Sequence, residues 1–206
     1  MTSLIRYLTL CTLLLVGIAP LSACLPLVAG GAYMTGMVAV DRRTSGAMLE
    51  DQSIELKVSS RIRDALGERA HVNVSSYNRK VLLTGETPDP QDRERVADVA
   101  KNIDNISAIW NEVGATPIST LSERTSDAVI SGRIKAELLD AKDLFTNAFK
   151  IVTERGTVYV MGRITAREAK RVSSLASGVT GVKKVVLVHE TITEDELANT
   201  QPAPAK

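Results

Sequence analysis

The chain has 206 residues, of which 44% are hydrophobic and 24% charged, a composition that excludes a disordered chain and fits one large globular domain or two small ones. Aromatic residues make up only 3%, so the core must be built from Val, Ile, Leu and Ala. The 25 basic and 24 acidic residues nearly cancel, and we expect no nucleic-acid partner.

The first 23 residues predict an export signal. Arg6 supplies a short positive region, and an apolar run without charges follows from residue 8 to residue 18. The next segment, Leu21-Ser22-Ala23-Cys24, matches the lipobox of bacterial lipoprotein signals, in which small residues precede the cysteine that is acylated. We therefore predict lipidation of Cys24 and a lipidated tether over residues 24–50, with an ordinary secretory site or a membrane helix as the alternatives.

The rest of the chain contains an internal repeat. Residues 60–66 align with 132–138 at an offset of 72, and residues 81–85 align with 158–162 at an offset of 77. Both copies carry an apolar stripe with a spacing of four residues, which is typical of a helix packed on one side. The stripe residues are Ile54, Val58, Ile62 and Leu66 in the first copy and Ile130, Ile134 and Leu138 in the second.

Each copy predicts the element order α-β-β-α-β, an α+β fold with the helices on one face of a small three-stranded sheet. We place the two modules at residues 51–119 and 122–192, followed by a disordered tail at 193–206. After the leading helices, the predicted helices are 90–103 and 166–179, and the predicted strands are 72–76, 106–113, 149–153 and 182–189, with a second hairpin strand in each copy.

The repeated motifs resemble the BON domain. They are the strand Val81-Leu82-Leu83-Thr84-Gly85 and the later segment Gly181-Val182-Lys183-Lys184-Val185. Asn105 departs from the pattern, because it stands where the second copy has Gly181, but asparagine tolerates left-handed conformations. With its lipobox and its Asp41-Arg42-Arg43-Thr44 segment, the whole chain is similar to the dual-BON outer-membrane lipoproteins. This resemblance implies a lipid-anchored protein of the cell outer membrane that supports envelope integrity. We expect it to face the periplasm, although the sequence does not show which face of the membrane it occupies.

Catalytic chemistry is not expected in the exported part. Cys11 is lost with the signal and Cys24 carries lipid, so no thiol remains for a disulfide, a metal site or a nucleophile. His71 and His189 fall at strand ends in different copies without a neighbouring carboxylate motif, and we interpret both as structural or solvated. The sequence therefore predicts no enzyme, no catalytic residue, no metal site and no cofactor.

The two copies differ in charge. Residues 41–119 carry 11 basic and 13 acidic residues, a net charge of −2, whereas residues 122–191 carry 12 and 8, a net charge of +4. This difference fits a division of labour, although drift of solvated surface charge would also explain it.

The leading helix of the second copy is the candidate binding site. The side opposite its stripe should be polar, but there the sequence places small and apolar residues between cations, as a helix lying in the headgroup region of an anionic bilayer requires. The matching positions of the first copy include Lys57, Ser60 and Asp64, which are polar. The predicted phospholipid-binding residues are Val129, Gly132, Arg133, Lys135, Ala136, Leu139 and Lys142, with Ala128 on the same side.

Two functions follow as hypotheses. In the first, the anchored protein binds anionic phospholipid through its second copy. In the second, it is an adaptor that holds envelope-assembly or cell-wall proteins. Packing of the apolar side against the first copy, or against a separate protein, is the alternative to lipid contact at the helix itself.

Overall fold

A computed structural model describes residues 41–200. The predicted signal, Cys24 and the tether up to residue 40 lie outside the described residues, as do residues 201–206. The helices are α1 (Ser45–Leu66), α2 (Pro90–Lys101), α3 (Leu121–Asp140), α4 (Ala166–Ser177) and α5 (Glu194–Thr200). The strands are β1 (His71–Tyr77), β2 (Lys80–Glu86), β3 (Ala108–Asn111), β4 (Phe149–Glu154), β5 (Thr157–Ile164) and β6 (Lys184–Thr191).

The α+β fold with two tandem modules is confirmed. Each copy forms a three-stranded sheet, ordered β1-β2-β3 in the first and β4-β5-β6 in the second. The central strand pairs antiparallel with its hairpin partner and parallel with the strand that follows the second helix. Each parallel pair is thus joined by a helix that crosses over one face of the sheet.

Each copy has a hydrophobic core between its helices and one face of its sheet. The predicted stripe of α1 is buried together with Val81 and Leu83 of β2. The stripe of α3 is buried in the same way with Val158 and Val160 of β5. Because side chains alternate along a strand, the residues between these point to the opposite face.

That opposite face packs against the other copy. Leu82 of β2 and Met161 of β5 are fully buried in one cluster that includes residues of both sheets. The two sheets therefore face each other, with α1 and α2 on one outer side and α3 and α4 on the other. The other members of the cluster are Tyr77, Trp110, Val152, Tyr159, Val186 and Val188.

A buried aspartate on each leading helix holds the following hairpin turn. Asp51 accepts hydrogen bonds from the backbone N–H groups of Asn78 and Arg79, both at 2.8 Å. Asp127 does the same for the turn between β4 and β5, at 2.7 and 2.8 Å. Asn78 and Arg79 have φ values of 50° and 65°, in the left-handed region that tight hairpins require.

Asn105 adopts a φ of 66°, and Gly181 in the second copy has a φ of 99°. The left-handed turn expected at both positions is therefore present, and asparagine replaces glycine there as the sequence suggested.

Two boundary predictions were wrong. Residues 41–50 are not part of a loose tether, because α1 begins at Ser45 and the Arg42 side chain is buried. Residues 194–200 of the predicted disordered tail form α5, whose Leu197 is only 5% exposed. Thr193 and Glu196 cap this helix reciprocally, a Thr-x-x-Glu signal that is visible in the sequence.

Candidate functional site

The side of α3 that faces away from its own sheet is exposed along the whole helix. We call Ala128, Val129, Gly132, Ala136 and Leu139 the outer strip; all five are exposed, Val129 by 47% and Leu139 by 74%. At about 100° per residue they fall within about 60° of Gly132 around the helix axis. Leu121, which is 79% exposed, continues the strip to the first turn.

Three cations border the outer strip. Arg133 and Lys135 lie on opposite sides of Gly132, while Lys142 follows the C-terminal Ala141 cap and so stands just beyond the helix. All three are exposed, and none of them forms an ion pair with any residue in the range 41–199. Their charges are therefore available to a ligand. The predicted site residues thus share one exposed surface.

The first copy does not cover the outer strip. The apolar contact between the copies is made by the sheets, whereas α3 lies on the far side of its sheet. An ideal side chain built at Gly132 would meet nothing within 4 Å. In the structure, therefore, the outer strip does not pack against the first copy, which was one of the alternatives to lipid contact.

The leading helix of the first copy is a natural comparison. Lys57, Ser60 and Asp64 are exposed at the positions that match Val129, Gly132 and Ala136, so a continuous apolar strip is missing there. Sequence reasoning overlooked Leu49 and Leu56 on the same helix, which are 67% and 73% exposed. They are separated by polar residues and form no continuous strip.

A second group of polar side chains lies where the two copies meet. Nδ1 of His71 is 3.2 Å from Oε2 of Glu86, its cross-strand partner. Glu154, at the end of β4 in the other copy, brings its carboxylate close enough that one ligand atom from each of the three lies within 4.8 Å of the others. We call His71, Glu86 and Glu154 the interface cluster.

Burial raises the pKa of the Glu154 carboxyl, and the hydrogen bond from Asn73 at 2.9 Å offsets this only in part, while the charge of Glu86 raises the pKa further. Sequence reasoning missed this cluster. His71 looks isolated in the sequence because Glu154 lies 83 positions away, and no local sequence pattern indicates that the two side chains lie close together.

No helix within residues 41–200 is sufficiently long and apolar to cross a membrane.

Comparison with known proteins agrees with the repeat. Residues 50–116 and 126–187 each match the BON domain. The chain belongs to the BON-domain family. It contains two BON domains in tandem, which correspond to the two copies described above and are called the first and second BON domain below.

Two relatives are similar over most of the chain. The outer membrane lipoprotein DolP of Haemophilus influenzae is 29% identical over 170 residues, which cover 82% of this chain and 88% of the relative. A 21 kDa hemolysin of Actinobacillus pleuropneumoniae is 31% identical over 151 residues, which cover 72% of this chain and 78% of the relative.

Proposed function

We propose that this protein is a lipid-anchored outer-membrane lipoprotein that binds anionic phospholipid through α3 of its second BON domain and thereby supports outer-membrane integrity. The observation that carries the proposal is the outer strip, an exposed apolar surface bordered by cations that form no ion pair within residues 41–199. The lipobox at Cys24 and the similarity to a protein named as an outer membrane lipoprotein support the location.

The chemistry of the strip suits the boundary between headgroups and acyl chains. Val129 and Leu139 can enter the acyl region, while Arg133 and Lys135 meet phosphate oxygens on either side. Each basic residue near an anionic surface contributes about 1 kcal/mol. Such a modest affinity is sufficient for a protein that an acyl chain already holds at the membrane, since the helix then needs only to orient it.

Vesicle binding tests this proposal. A fragment of residues 41–206 contains every contact described above and lacks the anchor, and we expect it to bind vesicles containing phosphatidylglycerol but not vesicles of pure phosphatidylcholine. Reversal of two charges in Arg133→Glu/Lys135→Glu should weaken binding by about 30-fold or more at low salt, and added salt should weaken binding of the wild type.

The first BON domain supplies a matched control. Arg61→Glu/Arg63→Glu reverses the charges at the equivalent positions of α1, which are also exposed, and should leave vesicle binding unchanged. An equal loss in both double variants would show only a general effect of net charge and would contradict the assignment to α3. Unchanged binding in both, with loss of a protein partner recovered from cell extracts, would favour the adaptor hypothesis.

A further inference from the structure

We propose that His71, Glu86 and Glu154 bind one divalent zinc ion, which bridges the two BON domains. One imidazole nitrogen and two carboxylates are ligands that zinc accepts, and an incomplete protein ligand set leaves one position for water. This proposal is independent of lipid binding, because the interface cluster involves none of the residues of the outer strip.

The backbone places the three side chains together. His71 begins β1 and Glu86 ends β2, and the two are paired across the hairpin, so their side chains lie on the same side of the sheet. Glu154 ends β4 in the second domain, immediately before the turn that Asp127 holds. Because zinc ligands lie about 2 Å from the ion, a contraction of roughly 1 Å would bring atoms that lie within 4.8 Å of one another into coordination.

The electrostatics of the cluster favour a cation. Glu86 is completely buried and Glu154 is 7% exposed, so two carboxylates share a desolvated site. Oε1 of Glu86 accepts no hydrogen bond from any residue in the described part of the chain, and the nearest cationic group is Nη1 of Arg155 at 3.5 Å. Arg155 is 39% exposed, lies 3.7 Å from Glu123 and donates to Thr116 and to the backbone carbonyl of Pro117, so it has other partners if a zinc ion takes its place beside Glu86.

Neighbouring residues hold the two carboxylates by hydrogen bonds, as the residues around the ligands of a metal site do. Asn73 donates to Oε2 of Glu154 at 2.9 Å, and Ser119 donates to Oε2 of Glu86 through its hydroxyl at 3.1 Å and its backbone N–H at 3.3 Å. Such partners fix ligand orientation at metal sites. The His71 ring is 21% exposed and lines a groove between the two domains, which gives an ion a path to the cluster.

A zinc titration tests the proposal. The untagged full-length chain is kept in detergent, stripped of metal with EDTA and then titrated with zinc chloride. We expect one equivalent of zinc to bind and the melting temperature to rise, because zinc binds only the folded chain. Magnesium chloride should produce no comparable rise, since magnesium prefers six oxygen ligands. Absence of a zinc response in calorimetry and in melting would overturn the proposal.

Two variants distinguish metal binding from a purely structural hydrogen-bond cluster. Glu154→Gln keeps an acceptor for Asn73 and removes one of two neighbouring carboxylates, so the variant should be at least as stable as the wild type in EDTA. The affinity of Glu154→Gln for zinc should nevertheless be at least about tenfold lower than that of the wild type, and the affinity of His71→Gln should fall by a similar factor.

His189→Gln is the control, since the chain has only one other histidine. Its zinc affinity should match that of the wild type. Retention of wild-type affinity in Glu154→Gln, or equal loss in all three variants, would overturn the assignment. If His71→Gln fails to fold, the Glu154→Gln and His189→Gln pair still decides the question.

Discussion

Arg42 and Glu168 form a buried ion pair whose side chains are 3% and 1% exposed. The guanidinium of Arg42 donates to both carboxylate oxygens, at 2.7 and 2.8 Å, and to the backbone carbonyl of Arg163 at 2.7 Å. The pair joins the segment that precedes the first BON domain to α4 of the second. Removal of one partner from such a pair leaves a buried charge uncompensated, which is costly.

We therefore expect Arg42→Met to lower the free energy of unfolding by about 3–5 kcal/mol at neutral pH, measured by urea denaturation. The size of this effect should depend on pH. Burial tends to raise the pKa of the Glu168 carboxyl, but hydrogen bonds from Arg42 and Thr165 outweigh burial and hold the pKa below its ordinary value of 4.5. The stability from this carboxylate is thus fully present above pH 4.5 and is lost as pH falls through the lowered pKa.

The difference between the wild type and Arg42→Met should accordingly shrink in acid. A double variant, Arg42→Met/Glu168→Met, should be less destabilised than the single one, because no buried charge is left unpaired. It still loses about 1 kcal/mol of stability, because Glu168 no longer caps α4 together with Thr165. A single variant that is as stable as the wild type at pH 7 would show that Arg42 is not buried beside Glu168 in solution.

At the scale of single elements, two glycines of the second BON domain have opposite roles. Gly132 is an exposed residue in the middle of α3, where glycine is unfavourable and an added side chain would meet nothing within 4 Å. Gly181 has a φ of 99°, and its added Cβ would lie 2.9 Å from Cδ1 of Ile130 in the core.

We expect Gly132→Ala to raise the free energy of unfolding by about 0.5–1 kcal/mol. Gly181→Ala should lower it by about 1–3 kcal/mol through backbone strain, with an added cost from crowding Ile130. Urea denaturation of both variants alongside the wild type measures the two changes. A destabilising Gly132→Ala would mean that the outer strip is covered by protein in solution, which would count against lipid contact.

The elements themselves were largely predictable from the sequence because their signals are local. A stripe such as Ile54, Val58 and Ile62 fixes which side of a helix is buried before any partner is known. For the strands and for the second helix of each copy, predicted and observed boundaries differ by up to two residues, as at the end of β3, which stops at Asn111 rather than at residue 113. Only tertiary pairing decides such ends.

Contacts between distant residues were not predictable. Arg42 appears in the sequence as part of a flexible tether, because its partner Glu168 lies 126 positions further along the chain. His71 appears isolated for the same reason. The exposed surface of α3 was predictable, since it follows from the helical period alone, but its freedom from the first domain depends on how the sheets dock.

At the scale of the whole molecule, neighbouring residues of one strand serve different purposes. Leu82 and Leu83 of β2 are both fully buried, but Leu83 lies in the core of the first BON domain, whereas Leu82 lies between the two sheets. A first domain released from its partner would expose Leu82 to water and keep Leu83 inside. A substitution at Leu83 therefore tests the stability of the first domain, and one at Leu82 tests the docking of the two domains.

We expect the wild type to unfold in one transition, with the same midpoint by circular dichroism and by fluorescence of Trp110, the single tryptophan, which belongs to the cluster between the sheets. Leu82→Asp should undock the domains, because the new carboxylate reaches water only when the sheets separate. It should then give two transitions and a Trp110 that is more accessible to a soluble quencher.

Leu83→Asp is the matched control, with the same chemical change one residue away. It places the carboxylate in the core and should unfold the first BON domain outright, while the second retains its own core of α3, α4 and its sheet. If Leu82→Asp also abolished the fold of the first domain, the sheet contact would be part of a single core. The two BON domains would then form one folding unit, and α3 would depend on the first domain for its stability.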